Sequence, residues 1–322
     1  MELNQTEYNK YDQVKTSEED GPEEAGPLGD MSIRSTRAFK KIKRRAYKNL
    51  IAIACVFLFT FTALNSLQNL QSSLNDKAGL GLSSLSVLYG CLMVSCIAAP
   101  FLIQSIGPKW TTVCCSFCYS FYTAANFYPE FYTLIPAAAV LGFAAGPFWV
   151  AQGTYLTSLA VNFAGVVNEV PVQMIHRFTG IFFLIYQSCQ IWGNMLSSLI
   201  FSASANHTTD HLNDSQFWIC GRNGTGMEGS NFDDPGETKR YILLSLYIVM
   251  GLLGALTGAL FMDNVGAVIP FEEEGGQKKF LIHHLMEVIH LMRTPYVGLL
   301  IPVMIYSGSE QAYIYGDFTK VS

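Results

Sequence analysis

The chain has 322 residues, of which 50% are hydrophobic and 14% are charged. Average soluble domains carry about 25% charged residues, so this composition excludes an ordinary soluble protein. The formal net charge of −5 reflects acidic residues concentrated in the first 30 positions and does not describe the rest of the chain.

Residues 1–38 are predicted to form a disordered acidic cytoplasmic tail. Acidic residues alternate there with Gly and Pro, and too few apolar residues are present to build a core. Within the tail, Tyr11 and Val14 have the spacing of a tyrosine-based endocytic sorting signal (Tyr11-Asp12-Gln13-Val14). The pattern is so short that chance occurrence stays open beside a sorting function.

A basic juxtamembrane segment, residues 39–49, follows the tail. It contains the run Lys40-Lys41-Ile42-Lys43-Arg44-Arg45 directly before an apolar stretch. Such a run also occurs in nucleic-acid-binding segments and nuclear signals. Its place beside a membrane segment favours a cytoplasmic anchor on anionic lipid, so we expect a lipid-bilayer partner and no nucleic acid.

Seven apolar stretches of roughly spanning length come next. A bilayer core needs about 20 mostly apolar residues per helix, and inside hydrocarbon each stretch has to be helical. We therefore predict an all-α membrane protein. The predicted spans are Leu50–Leu64 (extended by a polar end to Leu70), Leu85–Ile106, Thr111–Phe127, Leu134–Leu156, Phe178–Phe201, Tyr241–Met262 and Tyr296–Tyr315.

The predicted order is a six-helix transmembrane bundle (50–262), a cytoplasmic linker (263–294) and a seventh helix (295–322). Six helices, a charged linker and further helices are the layout of the major facilitator superfamily, so the bundle is expected to be its N-terminal six-helix half. The patterns Gly142-Phe-Ala-Ala-Gly146 and Gly254-Ala-Leu-Thr-Gly258 predict sites where helix backbones approach closely.

The distribution of basic residues predicts the orientation. With the N-terminus in the cytoplasm, 15 Lys and Arg residues lie inside and five outside, as the positive-inside rule prefers. The exoplasmic loop 202–240 then contains three glycosylation sequons, at Asn206, Asn213 and Asn223. We expect a glycosylated multi-pass protein of the plasma membrane, with the endoplasmic reticulum or endolysosomal membrane as alternatives.

Uncharged amides interrupt the apolar helices. They fall at helical spacing in the first and fifth spans, with a single amide in the fourth. Two interpretations stay open: hydrogen bonds between helices, or a surface that lines a cavity or contacts a partner. These candidate residues are Asn65, Gln68, Gln152, Gln187, Gln190 and Asn194.

Glu310 is the only carboxylate predicted inside a span, the seventh. At the bilayer centre it has to be neutral, paired or in contact with water, and the alternative is a position at the exoplasmic interface. No phosphate-binding loop or zinc-ligand pattern is present in the sequence. We therefore predict no enzyme activity, no catalytic residue, no metal and no cofactor.

Several segments resemble the uncoordinated-93-like family, a branch of the major facilitator superfamily, and are nearest to its A-type members. These are Leu64–Leu74, Trp149–Thr157, Phe178–Asn194, and Tyr306–Gln311 with Phe318-Thr319. The resemblance implies twelve helices, glycosylation and residence in the plasma membrane or endomembranes. It also implies regulation of a two-pore potassium channel or of a receptor through helix contacts, with solute or cation transport as the alternative.

The chain departs from that superfamily in the loop between its second and third helices. Gln104 stands where a gating aspartate is usual and Pro108 replaces a basic residue, which argues against an active transporter. The sequence also stops after the seventh predicted helix. We therefore expect an incomplete or alternatively spliced chain, and a nonfunctional truncated isoform is a further alternative.

Overall fold

The structure is a computed structural model that describes residues 27–74, 79–202, 236–265, 286, 290–291 and 293–313. Two compact units are present, Met1–Arg45 and Ala46–Ser322. No strand occurs in the described residues, and the chain is an all-α membrane protein. The helices are α1 Pro27–Leu74, α2 Leu80–Ile106, α3 Pro108–Ala125, α4 Phe131–Val167, α5 Pro171–Gln187, α6 Cys189–Ser202, α7 Gly236–Phe261 and α8 Pro295–Tyr313.

Four helical segments in the described part are long and apolar enough to cross a membrane. They lie in α1, α2, α4 and α7, at Ala38–Gln68, Leu80–Ile106, Phe131–Val167 and Thr238–Phe261. They correspond to the first, second, fourth and sixth predicted spans.

The other three predicted spans are helical over most of their described residues but do not meet those criteria, each for a different reason. Helix α3 has 18 residues but is rich in hydroxyl side chains, with Thr111, Thr112, Ser116, Ser120 and Thr123 buried. The predicted fifth span is divided into α5 and α6. Helix α8 carries a polar second half that includes Glu310.

Helix α4 packs against α2, α3 and α5, and α3 also packs against α7. Helix α4 lies close to α2 at the first glycine pair. A Cβ on Gly142 would lie 2.6 Å from Cys91 Cβ, and one on Gly146 would lie 2.8 Å from Cys96 N. Ser95 Oγ donates a hydrogen bond to Gly142 O at 3.0 Å. The predicted close helix contact is confirmed.

The second glycine pair brings α7 against α1. A Cβ on Gly254 would lie 2.8 Å from Thr60 Oγ1, and one on Gly258 would lie 3.3 Å from Val56 Cγ2. Thr60 Oγ1 in turn shares a 3.0 Å hydrogen bond with Ser116 Oγ of α3. The close helix approach predicted at this glycine pattern is confirmed, and α1 and α3 both lie close to α7 there.

Aromatic rings fill the space between α1, α3, α4 and α5. The closest pair is Phe57 and Phe148, stacked with centroids 4.2 Å apart and an interplanar angle of 13°. Offset stacking and edge-to-face contacts stabilise aromatic pairs beyond the burial of their area. The rings in this cluster are Phe57, Phe61, Tyr119, Phe148, Trp149, Phe182 and Tyr186.

The unusual residues between α2 and α3 have a structural explanation. A single residue, Gly107, connects the helices with a φ of 84°, a value that favours glycine. Pro108 is buried at the start of α3, where its missing N–H leaves no hydrogen bond unmade. Gln104 is exposed on the last turn of α2. Pro108 therefore serves the tight connection between the helices.

Helix α1 begins at Pro27, inside the segment predicted to be disordered. Proline is favoured at a first helical position, and the following residues include good helix formers, which accounts for the early start. The sorting signal (Tyr11, Val14) and the sequons (Asn206, Asn213, Asn223) lie outside the described residues.

Candidate functional site

The predicted fifth span is interrupted at Ser188, between α5 and α6. Ser188 Oγ donates to Ile185 O at 2.7 Å, and the Ser188 carbonyl accepts from Ile191 N at 3.1 Å and Trp192 N at 3.2 Å. Local partners therefore satisfy polar groups that the interruption would otherwise expose to hydrocarbon. Gln187 and Gln190 lie on either side of this one-residue break, where the backbone stays in the helical region with a φ of −63° and a ψ of −14° at Ser188.

Every fourth residue of α5 faces the core of the bundle. Met174, Phe178, Phe182 and Tyr186 are buried, and Cys189, Gly193 and Ser197 continue this buried row along α6. The row fixes which side of both helices packs against the rest of the protein.

Three predicted amides lie beside this buried row. Gln187 and Asn194 are exposed and Gln190 is half-buried. At 100° per residue, they fall within an arc of about 60°. We call Gln187, Gln190 and Asn194 the amide face.

A third, apolar side of α5 and α6 is also exposed. Leu184 is 77% exposed and Ile191 is 69% exposed. Such residues suit contact with lipid tails, whereas amides are costly there. The apolar side of these helices therefore suits lipid, whereas the amide face requires hydrogen-bond partners.

The predicted amides of α1 are enclosed between helices. Asn65 Nδ2 donates to Cys189 Sγ at 3.4 Å, and Gln68 Nε2 donates to Tyr89 Oη at 3.4 Å. Gly193 permits this closeness, because a Cβ there would overlap Ser66 Oγ. Asn65 and Gln68 thus join α1 to α6 and α2.

The remaining two predicted residues, Gln152 and Glu310, lie on different helices, α4 and α8. Gln152 is buried on α4, one turn from Trp149, whose ring meets Tyr186 edge-on with centroids 5.6 Å apart. Glu310 is exposed near the end of α8. The described structure places Trp149 beside the α5–α6 break.

A polar cluster at the end of α7 was missed at the sequence level. Lys48 Nζ lies 2.9 Å from Asp263 Oδ1, and Asn49 Nδ2 donates to Asp263 Oδ2 at 3.2 Å. Asp263 N donates to Asn49 Oδ1 at 3.1 Å, and Tyr155 Oη donates to Asp263 O at 3.0 Å. We call these four residues the Asp263 cluster. It ties the exit of α7 to α1 and α4.

The chemistry available at the amide face is hydrogen bonding. Amides donate and accept without changing charge, and the neighbouring rings supply flat apolar surface. Among the described residues, no group of three or more His, Cys, Asp or Glu side chains is placed to hold a metal ion. The arrangement suits recognition of another polar surface within the membrane.

Comparison with known proteins gives a family match over most of the chain. Residues 71–320 match the family described as ion channel regulatory protein UNC-93. "Protein unc-93 homolog A" of Xenopus laevis is 37% identical over 283 residues, covering 85% of this chain and 60% of the relative. The human protein of the same name is 34% identical over 281 residues, covering 86% and 61%.

A more distant relative comes from Caenorhabditis elegans. It is named "Putative potassium channel regulatory protein unc-93" and is 33% identical over 299 residues, which cover 90% of this chain and 42% of the relative. The chain therefore spans about 60% of the length of the homolog A relatives and less than half of the nematode protein.

Proposed function

The chain belongs to the UNC-93 family of ion channel regulatory proteins, and we propose that it regulates a potassium channel through helix contacts made by the amide face. The family description and the name of the nematode relative support the class of partner. The partner proposed is a two-pore potassium channel in the plasma membrane. The amide face supports the mode of contact.

The observation that carries this proposal is the exposure of Gln187 on α5 and Asn194 on α6, beside an apolar side of the same helices that is also exposed. Polar side chains inside a membrane face protein or water, because hydrocarbon offers them no hydrogen-bond partner. Gln187 would find such a partner on a channel helix, and Asn194, which already interacts within this chain, would gain a further one. Each such hydrogen bond contributes about 0.6 kcal/mol on average. Leu184 and Ile191 would remain in lipid.

The proposed topology follows from charge. The N-terminus lies in the cytoplasm, the loop 202–240 is exoplasmic, and at least one of Asn206, Asn213 and Asn223 carries glycan. Residues 50–262 form one six-helix half of a major-facilitator-type bundle, and 263–294 form its cytoplasmic linker. In this arrangement the Asp263 cluster lies at the cytoplasmic end of α7.

The double variant Gln187→Leu, Asn194→Leu is expected to lose most of its effect on a co-expressed two-pore potassium channel. Two lost hydrogen bonds of about 0.6 kcal/mol each weaken association roughly eightfold. Whole-cell current, normalised to surface channel, measures the effect. The matched control is Gln173→Leu, the same change at an exposed position of α5 outside the amide face.

Equal modulation by the double variant and by the unaltered chain would contradict the proposed contact. Surface biotinylation of both variants separates loss of contact from loss of the protein. If modulation disappears equally in Gln173→Leu, then an added leucine anywhere on the exposed part of α5 is enough to abolish the effect, and the amide face has no special part in it.

A second candidate function is transport of a small solute or cation. It is favoured by the polar residues Gln187, Gln190 and Asn194 of the predicted fifth span, because polar residues inside membrane segments often mark solute and ion pathways. Gln190 beside the break and Glu310 of α8 would then contact the solute. Uptake that is abolished by Glu310→Gln, with potassium current unchanged by the unaltered chain, would favour transport over regulation.

A further inference from the structure

A cluster of cations in the first compact unit has no part in the proposed channel contact. Lys40, Lys41, Lys43, Arg44 and Arg45 occupy five of six consecutive positions and are all exposed. They lie on α1, so their side chains are carried by a regular helix. Five cations on two turns of helix form the highest density of positive charge in the sequence.

Helical geometry separates these cations from the apolar residues of the same segment. At 100° per residue, Lys40, Lys41, Arg44 and Arg45 lie within an arc of about 140°, and Lys43 widens this arc to about 200°. Phe39 and Ile42 fall outside that arc, and Phe39 is 36% exposed. The segment therefore has a basic side and an apolar side.

The sequence position of the segment puts it at a membrane surface. Arg45 precedes the first predicted apolar stretch, Leu50–Leu64, by only a few residues. A basic side meets lipid phosphates while an apolar side lies against acyl chains. Clusters of four to eight Lys and Arg residues in this position bind anionic lipid, and each charge adds to the free energy of binding.

We infer that Lys40, Lys41, Lys43, Arg44 and Arg45 form a binding site for polyanionic phospholipid headgroups in the cytoplasmic leaflet. A headgroup with several phosphates contacts several of these cations at once, so it is favoured over a headgroup with one charge. An Arg guanidinium donates two parallel hydrogen bonds to a phosphate group, whereas a Lys ammonium supplies a compact positive charge. This site is independent of any channel partner.

The test uses the full chain, purified in mild detergent and titrated with dioctanoyl phosphatidylinositol 4,5-bisphosphate, with binding followed by microscale thermophoresis. The variant Lys40→Gln, Lys41→Gln, Arg44→Gln is expected to bind roughly tenfold to hundredfold more weakly. Raising the KCl concentration from about 50 to 300 mM is expected to weaken binding by the unaltered chain, because exposed charges are screened.

The matched control removes the same charge elsewhere in the N-terminal region: Lys10→Gln, Lys15→Gln, Arg34→Gln. It is expected to bind as the unaltered chain does. Equal weakening in both triple variants would overturn the site, because net charge alone would then explain binding. Unchanged binding in the Lys40→Gln, Lys41→Gln, Arg44→Gln variant would also overturn the proposed site. The cluster would then serve only to set the membrane topology. If the chain binds free inositol trisphosphate with equal affinity, the ligand of the site is a soluble polyphosphate and not a lipid.

Discussion

Replacing Gly146 with leucine is expected to prevent α2 and α4 from packing. A Cβ at this position would lie 2.8 Å from Cys96 N and 2.9 Å from Ser95 C, and both atoms belong to the backbone of α2. Backbone atoms cannot move aside by changing rotamer, so the helices have to separate. We expect a cost of at least about 3 kcal/mol, at the upper end for overpacked cores.

Thermal unfolding in detergent, followed by size-exclusion chromatography, measures this effect. A cost of about 3 kcal/mol corresponds to a fall in Tm of about 10 °C for a chain of this size. Gly153→Leu is the control on the same helix, since a Cβ there meets nothing within 4 Å. Similar Tm values for the two variants would contradict the close contact at Gly146.

Replacing Asp263 with alanine is expected to destabilise the contact between the end of α7 and helices α1 and α4. Asn49 is 2% exposed, and its Nδ2 would lose the acceptor at 3.2 Å. A buried donor left without an acceptor costs about 1–3 kcal/mol. The Lys48 side chain is 41% exposed, so the loss of its ion pair adds little. The same unfolding assay should show a Tm lower by several degrees.

Asp263→Asn separates the two contributions. An asparagine keeps an oxygen that accepts from Asn49 Nδ2 and removes the charge that faces Lys48. We expect this variant to recover most of the stability lost in Asp263→Ala. If Asp263→Asn unfolds at the same temperature as Asp263→Ala, the ion pair and not the buried hydrogen bond stabilises the cluster.

Features with a strong local signal were predictable from the sequence. The four longest apolar helices follow from hydropathy, and both G-x-x-x-G patterns lie at close helix contacts, because only small residues allow such approach. The segments around Leu64–Leu74 and Phe178–Asn194 also identified the family, which the family comparison confirms.

Features that depend on contacts between distant residues were not predictable. The break at Ser188 lies within Phe178–Phe201, which is continuously apolar enough to predict one helix. Helical spacing placed Gln187, Gln190 and Asn194 on one side but could not tell whether that side faces the core. The Asp263 cluster joins residues more than 200 positions apart in sequence, from Asn49 to Asp263, and no local sequence pattern indicates this contact.

The central claim, that the amide face contacts a potassium channel, is tested most directly by photo-crosslinking. A photoreactive phenylalanine analogue is placed at Gln187, or at Phe121, a position on α3 that is 56% exposed. Both variants are co-expressed with a two-pore potassium channel and irradiated in intact cells. We predict a crosslinked channel adduct from position 187 and none from position 121. An adduct from position 121 alone, or from neither position, would contradict the account.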